Sequence, residues 1–246
     1  MIRIIAPRLL KTAAIVLPGV LLSAPVISQA AQLVTNGSFE NVGSATNSFQ
    51  INQNTPTSNL PGWTTTSGYS FLVFPGQATV NLGNGIQLYT FPSTSPDGGN
   101  FVLQDGGYST GTLKQTISGL TVGMAYDVNF YQASGQQNGY SGDTTEWWDV
   151  SLGGSMLQSA VMTTPSHGSV GWEAQSLSFV ATATSEVLGF LAQGTPTGVP
   201  PFVGLDGVSV VAVAEPTTIT LVVVGLLGLA AVRRRGRPAS GTPAGA

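Results

Sequence analysis

Cysteine is absent from the 246-residue chain, which excludes disulfide bridges, thiolate metal sites and a cysteine nucleophile. Charged residues are also scarce, at 8% of the sequence against about 25% in an ordinary globular protein. Glycine and proline, by contrast, number 32 and 15, and both disfavour helix interiors and supply the backbone angles of turns. This composition argues against a helical bundle or coiled coil. It favours short strands joined by many turns.

Basic residues are nearly absent from the middle of the chain, where Lys114 is the only one between Lys11 and Arg233. All eleven acidic residues lie between Glu40 and Glu215, so one lysine against eleven acids gives this region a net charge of −10. A surface of that sign repels phosphate backbones. We therefore expect no nucleic acid among the partners.

The N-terminal segment has the three parts of a secretory signal peptide. Arg3, Arg8 and Lys11 form a basic region, an apolar stretch covers residues 12–27, and Ser28-Gln29-Ala30 has the small residues of a cleavage site. We predict that residues 1–30 are the signal peptide, that signal peptidase cleaves after Ala30, and that the rest is exported. The alternative is an uncleaved membrane anchor, although two prolines interrupt this stretch and it is short for a span.

The C-terminal segment combines a short motif, an apolar run and a basic cluster. Ala214-Glu215-Pro216 precedes the run at 219–232 (ITLVVVGLLGLAAV), which stops at Arg233, Arg234 and Arg235. Under the positive-inside rule the arginines stay in the cytoplasm, so we predict one transmembrane helix with residues 31–216 outside. The alternative, a buried strand or helix of the domain, is disfavoured because charged side chains are rarely buried.

This tail, residues 214–237, resembles the PEP-CTERM sorting signal of Gram-negative bacteria that make exopolysaccharide. Ala214 stands where the family has proline, and a short polar tail, residues 238–246, follows the arginines. The resemblance implies an exosortase, a membrane transpeptidase-like enzyme, as a processing partner, with Glu215, Pro216 and the arginine cluster as the sorting residues. It implies a transient anchor in the inner membrane, then release to the cell surface or extracellular matrix.

Between residues 31 and 213, alternation of apolar and polar residues recurs every ten to twenty residues, as in the strands of a sandwich or jelly roll. The alternation is clear at 126–130 (YDVNF) and 208–210 (VSV), and glycine-rich turns such as 96–99 (PDGG) separate such segments. We therefore predict an all-β, jelly-roll-like antiparallel β-sandwich over residues 31–213.

Several short strings in this region together resemble an exported β-sandwich family, the choice-of-anchor proteins, which are related to galactose-binding-like domains. They are, in order, 33–40 (LVTNGSFE), 60–63 (LPGW), 113–117 (LKQTI), 123–126 (GMAY), 171–172 (GW) and 205–210 (LDGVSV). The resemblance spans nearly the whole domain. It implies a sandwich fold, exposure outside the cell and an association with carbohydrate.

Two carboxylates, Glu40 and Asp206, are predicted to meet, because the terminal strands of a jelly roll commonly lie side by side. Carboxylates that converge with backbone carbonyls form an oxygen site suited to calcium. We predict a structural calcium ion there, although Gly207 stands where the related family often has a second acidic or amide residue. The alternative is that both are surface acids that cap turns.

Two consecutive tryptophans point to opposite faces if they lie on a strand. Trp148 shares parity with Val150 and Leu152, so we assign it to the core and Trp147 to the other face. Beside a polar loop that contains Tyr140, an exposed Trp147 could stack on a sugar ring. We predict Trp147 and Tyr140 as carbohydrate-binding residues; the alternative is that Trp147 packs beneath the loop.

One acidic cluster, Asp143, Glu146 and Asp149, could supply the paired carboxylates of a glycoside hydrolase, but a solvated face explains it more simply. We predict an exported, surface-sorted, non-catalytic β-sandwich that interacts with carbohydrate, such as exopolysaccharide, or with extracellular matrix. Two alternatives stay open: a secreted glycan-active hydrolase that uses these three acids, and a purely structural matrix protein without a specific ligand.

Overall fold

The computed structural model describes residues 32–51, 60–65, 69–108, 111–213 and 225–229. The predicted signal peptide and polar tail lie outside these residues, as do the sorting residues Glu215, Pro216, Arg233, Arg234 and Arg235. Of the predicted apolar span, residues 225–229 are described, and they are helical. Within the described part of the chain, no helix is long and apolar enough to cross a membrane.

The described residues form twelve strands between Phe49 and Ala212. The strands are β1 (Phe49–Gln50), β2 (Thr64–Thr65), β3 (Ser70–Val73), β4 (Phe101–Asp105), β5 (Leu113–Ser118), β6 (Ala125–Gln136), β7 (Thr144–Leu152), β8 (Ser155–Gln158), β9 (Met162–Thr164), β10 (Ser169–Val180), β11 (Ser185–Thr195) and β12 (Pro201–Ala212).

These strands make two sheets. Sheet A has the order β1-β3-β4-β12-β6-β10, and sheet B has the order β2-β5-β11-β7-β8, with β9 also paired to β7. Every strand pairing is antiparallel. The prediction of an all-β antiparallel sandwich is therefore confirmed.

The main core lies between the two sheets and is built from inward-facing alternate residues. Trp148 and Phe130 both pack edge-on against Phe190, with ring centroids 5.9 Å and 5.2 Å away, a favourable geometry for aromatic pairs. The buried Trp148 indole donates to the carbonyl of Gly204 at 3.0 Å. This bond ties β7 of sheet B to β12 of sheet A and satisfies the polar atom of the largest side chain in the core.

A second core covers the outer face of sheet A, where the long connection at 74–100 folds back over β3, β4 and β12. The buried side chains Phe71, Phe91, Phe101 and Phe202 belong to it. The connection approaches the sheet so closely that a Cβ at Gly204 would lie 2.8 Å from the Phe91 ring. These central strands are consequently buried on both faces, which explains the absence of clean alternation in their sequences.

Two details of the predicted layout differ from the structure or sharpen it. Strand β6 continues to Gln136, so the polar loop predicted from Ser134 onward begins only after this residue. At the other end of the sandwich, the amide of Leu33 donates to the Val210 carbonyl at 3.4 Å, and that of Val208 donates to the Gly37 carbonyl at 2.9 Å. The N-terminal segment therefore lies beside β12, as expected for the terminal strands.

Candidate functional site

A cavity of about 360 Å³ opens at one end of the sandwich. Because β3, β4, β12 and β6 are antiparallel neighbours, the start of β3 and β12 and the end of β4 and β6 meet there. We call it the loop-end cavity. Its lining residues are Tyr69, Asn84, Ile86, Asp105, Gly107, Tyr108, Gln137, Tyr140, Gly198 and Pro200.

Three tyrosines give the loop-end cavity its aromatic character. Tyr69 and Tyr108 form an edge-to-face pair, with ring centroids 5.2 Å apart and an interplanar angle of 83°. Tyr140 comes from the loop after β6 and makes no ring contact with either of them in the described part of the chain. Tyr108 and Tyr140 are 62% and 39% exposed. Both rings are therefore accessible to a ligand.

Asp105 is the one acidic residue that lines the loop-end cavity, and its side chain is 1% exposed. Its Oδ1 accepts hydrogen bonds from the amides of Gly107 at 2.8 Å and Tyr108 at 3.1 Å, whereas Oδ2 has no hydrogen-bond partner among the described residues. Burial raises the pKa of Asp105 to about 6, and the two amide bonds oppose this shift. The carboxylate is thus fixed by its own turn and keeps one oxygen for a ligand.

The loop that carries Tyr140 is held against the turn between β9 and β10. Ser141 Oγ and His167 Nε2 are 2.9 Å apart, and the Gly142 amide donates to Ser166 Oγ at 2.9 Å. In the reverse direction, the Ser166 amide donates to Asp143 at 2.9 Å. These bonds fix the loop on the side away from the cavity and therefore help to position Tyr140.

The two predicted carbohydrate-binding residues lie in different places. Trp148 is fully buried, which confirms the assignment from parity. Trp147 lies partly exposed on the outer face of sheet B, opposite Gln193 of β11, and its indole donates to Asp149 Oδ1 at 3.2 Å. Tyr140 lines the loop-end cavity and Trp147 does not. The structure therefore does not join this pair into one site.

The three acids of the hydrolase alternative do not come together either. Glu146 and Asp149 have opposite parity on β7, so Glu146 is buried in the interior and Asp149 faces outward. The Glu146 carboxylate accepts hydrogen bonds from the hydroxyl of Thr144 and, at 3.1 Å, from that of Thr164. Asp143 holds the loop. The expectation of a single solvated acidic face is wrong for Glu146, and this cluster forms no carboxylate pair across a cleft.

Asp206 is the most unusual acid in the structure. It is fully buried, and neither carboxylate oxygen has a hydrogen-bond partner within the described residues. Burial raises the pKa of Asp206 to about 7, and the charges of Asp97 and Glu40 contribute in the same direction; the nearby Ser95 hydroxyl and Gly207 amide oppose the shift without forming hydrogen bonds. Buried carboxylates are normally paired or bound to metal.

Glu40 faces the same region from the N-terminal segment. Its Oε1 accepts the Asn100 amide at 2.6 Å, and its Oε2 accepts the Asn100 side chain at 3.3 Å. Gly99 has a φ of +65°, and a Cβ there would collide with the Glu40 carboxylate. No group of three or more Asp, Glu or His side chains in the described residues is close enough to hold a metal ion. A cation at this place would therefore need backbone carbonyls as further ligands.

Sequence reasoning missed most of the loop-end cavity. Tyr69, Asn84 and Tyr108 were not singled out, and Asp105 entered only as part of a turn with the glycines that follow it. These residues come from separate parts of the chain, and the strand order alone brings them together. A turn that begins with aspartate and continues through two glycines to an exposed tyrosine is the one local signal present.

No family model matches the chain. The chain is 26% identical over 206 residues to Halomucin of Haloquadratum walsbyi (strain DSM 16790 / HBSQ001); the match covers 82% of this chain and spans about 2% of the length of that relative.

Solved structures with a similar arrangement of strands include three that cover most of this chain. TmCBM61, in complex with beta-1,4-galactotriose, is 14% identical, with a TM-score of 0.44, over 75% of this chain and 100% of that one. The K1 cleaved adhesin domain of Lys-gingipain from Porphyromonas gingivalis W83 is 13% identical, with a TM-score of 0.43, over 72% and 96%. The CBM22-1 xylan-binding domain of Paenibacillus barcinonensis Xyn10C is 11% identical, with a TM-score of 0.37, over 76% and 97%.

Proposed function

We propose that this domain binds carbohydrate in the loop-end cavity. The observation that carries the proposal is the convergence of two accessible tyrosine rings, Tyr108 and Tyr140, with the buried carboxylate of Asp105 in one cavity. Flat aromatic faces pack on the apolar face of a sugar ring, while a fixed carboxylate and the amides of Asn84 and Gln137 can pair with hydroxyl groups. The cavity volume also lies within the range of about 300–1,000 Å³ typical of small-molecule sites.

In this proposal the domain binds its glycan without cleaving it. Glycoside hydrolysis usually employs two carboxyl groups on either side of the scissile bond. Asp105 is the one carboxyl group among the described residues that line the cavity, and the cluster at 143–149 is dispersed. The cavity residues therefore support binding better than hydrolysis.

The test is binding of the purified protein to an array of neutral, acidic and amine-bearing oligosaccharides, followed by titration of the best ligand. We expect Tyr140→Ala and Tyr108→Ala each to weaken binding by about 1 kcal/mol or more through lost stacking. The control is Tyr131→Ala, which makes the same change on the outer face of sheet A, away from this cavity. Binding that survives both cavity substitutions at full strength would refute the proposal.

We also propose that calcium binds between Glu40 and Asp206 and joins the N-terminal segment to β12. The support is the chemistry of the donors: Asp206 has two buried oxygens without partners, and Glu40 lies close enough to influence its charge. Carboxylate and carbonyl oxygens are the ligands that calcium prefers. The ion would neutralise a buried charge and hold the two ends of the domain together.

For the chain as a whole, we propose export and sorting to the cell surface. The support is in the sequence: a basic and apolar N-terminus before Ala30, and the PEP-CTERM-like tail with Glu215, Pro216 and the arginine cluster. Signal peptidase would remove the first segment, and an exosortase would remove the tail after a transient stay in the inner membrane. The carbohydrate-binding domain would then be released at the surface or into the extracellular matrix.

A further inference from the structure

The negative charge of Asp105 has no counter-ion from this chain. Lys114 is the only lysine or arginine in the described residues, and it lies on β5, where it lines a different cavity with Thr35 and Thr64. His167, the only histidine, packs against Tyr89, with ring centroids 4.2 Å apart, and does not line the loop-end cavity. The cavity therefore presents an unpaired carboxylate.

An unpaired buried carboxylate is costly, and the structure has already met that cost. Removing a charge from water is unfavourable unless a partner replaces the lost solvation, which explains why burial raises the pKa of Asp105. A positively charged group that enters the cavity meets Oδ2 in surroundings where attraction is stronger than in bulk water. Its own desolvation is the main remaining cost.

The walls of the loop-end cavity also favour a cation. The faces of aromatic rings carry partial negative charge, and a cation placed over such a face is attracted to it. Tyr69 and Tyr108 stand nearly perpendicular to one another, and Tyr140 stands apart from both. A bound ammonium group can therefore contact a ring face and the Asp105 carboxylate together.

The charge of the whole domain acts in the same direction. The described residues contain ten acidic side chains and one lysine. Such a field attracts positively charged polymers at long range and repels acidic ones. An acidic polysaccharide is consequently disfavoured both by the domain and by the cavity.

We propose that the loop-end cavity selects an amine-bearing sugar, such as the glucosamine units of a de-N-acetylated glycan. The ammonium group would pair with Asp105 Oδ2, and the sugar ring would pack on Tyr140 or Tyr108. This inference rests on the proposed carbohydrate binding at the same cavity. It adds the chemical class of the sugar, and it assigns Asp105 as the residue that determines specificity.

The experiment compares two oligosaccharides that differ only at the nitrogen: glucosamine tetrasaccharide and its N-acetylated counterpart, chitotetraose. Both are titrated calorimetrically into the full-length protein. We expect the wild-type protein to prefer the glucosamine tetrasaccharide by about tenfold, the scale of one favourable ammonium contact. We expect Asp105→Asn to remove this preference and to change the affinity for chitotetraose by less than about threefold, because asparagine keeps the shape and can still accept the turn amides.

The matched control is Asp149→Asn, which removes one negative charge from the outer face of sheet B. It should preserve the preference, because screening reduces the effect of distant exposed charges. An equal loss of preference in Asp149→Asn and Asp105→Asn would overturn the inference, since the field of the whole domain would then suffice. If Asp105→Asn fails to fold, a series of partially acetylated tetrasaccharides bound to the wild-type protein gives the preference directly.

The remaining outcomes separate this inference from the proposed function. Equal or tighter binding of chitotetraose would overturn the selection of an amine and would leave carbohydrate binding intact. Binding of no oligosaccharide on the array would overturn both. A trimethyllysine peptide that bound more tightly than the glucosamine tetrasaccharide would show that the cavity recognises a protein cation, and it would overturn the assignment to a sugar.

Discussion

The hydroxyl of Thr164 on β9 donates a 3.1 Å hydrogen bond to the carboxylate of Glu146 on β7, inside the sandwich. Burial raises the pKa of Glu146 from 4.5 to about 7, although this bond and that from Thr144 oppose the shift. The folded protein thus binds this proton more strongly than the unfolded chain does. The free energy of unfolding must therefore decrease as pH rises from about 4.5 through 7.

The first prediction follows from this sign. Glu146→Gln cannot ionise, so its free energy of unfolding should decline less than that of wild type between pH 4.5 and 8, by on the order of 2 kcal/mol. Urea denaturation across this range measures the difference. Glu173→Gln on the exposed face of β10 is the control, and it should follow the wild-type profile. A wild-type profile in Glu146→Gln would contradict the prediction.

The two adjacent tryptophans should differ sharply in their contribution to stability. Trp148→Ala removes a fully buried ring and its bond to Gly204, so we expect a loss of about 3–5 kcal/mol. Trp147→Ala removes a partly exposed ring and should cost less than about 1 kcal/mol. Denaturation midpoints of both variants provide the test, and a larger loss in Trp147→Ala would reverse the assignment of faces.

The contribution of Trp147 to glycan binding stays a prediction. If the outer face of sheet B contacts the ligand, Trp147→Ala should weaken glycan binding by about 1 kcal/mol. Titration of the same oligosaccharide into Trp147→Ala and Tyr140→Ala compares the two surfaces. Unchanged affinity in Trp147→Ala would confine recognition to the loop-end cavity.

Calcium should stabilise the domain through Asp206. An ion that binds the folded state alone adds about 2.7 kcal/mol at a concentration one hundred times its dissociation constant. Chelator should therefore lower the melting temperature of the wild-type protein but leave Asp206→Asn unaffected. Asp127→Asn, an exchange on β6 outside the Glu40–Asp206 pair, should retain the response. Equal melting of the wild-type protein with and without chelator would eliminate the proposed ion.

The close approach of the 74–100 connection to sheet A predicts a cost for Gly204→Ala. The added methyl group would press against Phe91 and Trp172, at 2.8 Å and 3.1 Å, and overpacking of this kind costs about 1–3 kcal/mol. Gly171→Ala is the control, because a Cβ there meets nothing within 4 Å. Thermal denaturation of both variants is sufficient. Equal stability would show that the connection yields without penalty.

Processing at both ends of the chain is the last prediction. Intact-mass measurement of protein recovered from the native host should show an N-terminus near residue 31 and loss of the arginine cluster at 233–235. Retention of that cluster in surface-exposed material would exclude sorting by tail removal. A plain tail anchor would then explain the C-terminal sequence better.

Local alternation was sufficient to predict the strands that have one face in the core. The residues at 126–130 lie in β6 and those at 208–210 in β12, with the apolar side chains inward. The same rule placed Trp148 correctly and, applied to Glu146, would have indicated its burial. The 74–100 connection could not be predicted in this way, because Phe91 is buried by a sheet distant in sequence and by no periodic pattern of its own.

The candidate site was predicted less completely, for a related reason. Tyr140 was identified because it lies in a visibly polar loop. Tyr69, Asp105 and Tyr108 meet it only through the order of β3, β4, β12 and β6, which alternation within single strands does not reveal. Convergence of distant residues is a property of topology, and one sequence records it poorly.

The connection at 74–100 has a consequence for how the two proposed sites communicate. Asn84 lines the loop-end cavity, while Asn100, directly after the connection, holds Glu40. An occupant of either site restricts the motion of this one segment, so the second occupant meets a backbone whose ordering entropy has already been lost. Thermodynamic linkage then requires the reverse effect to be equally large. Ion and glycan would each raise the affinity for the other without any shift in the strands between them.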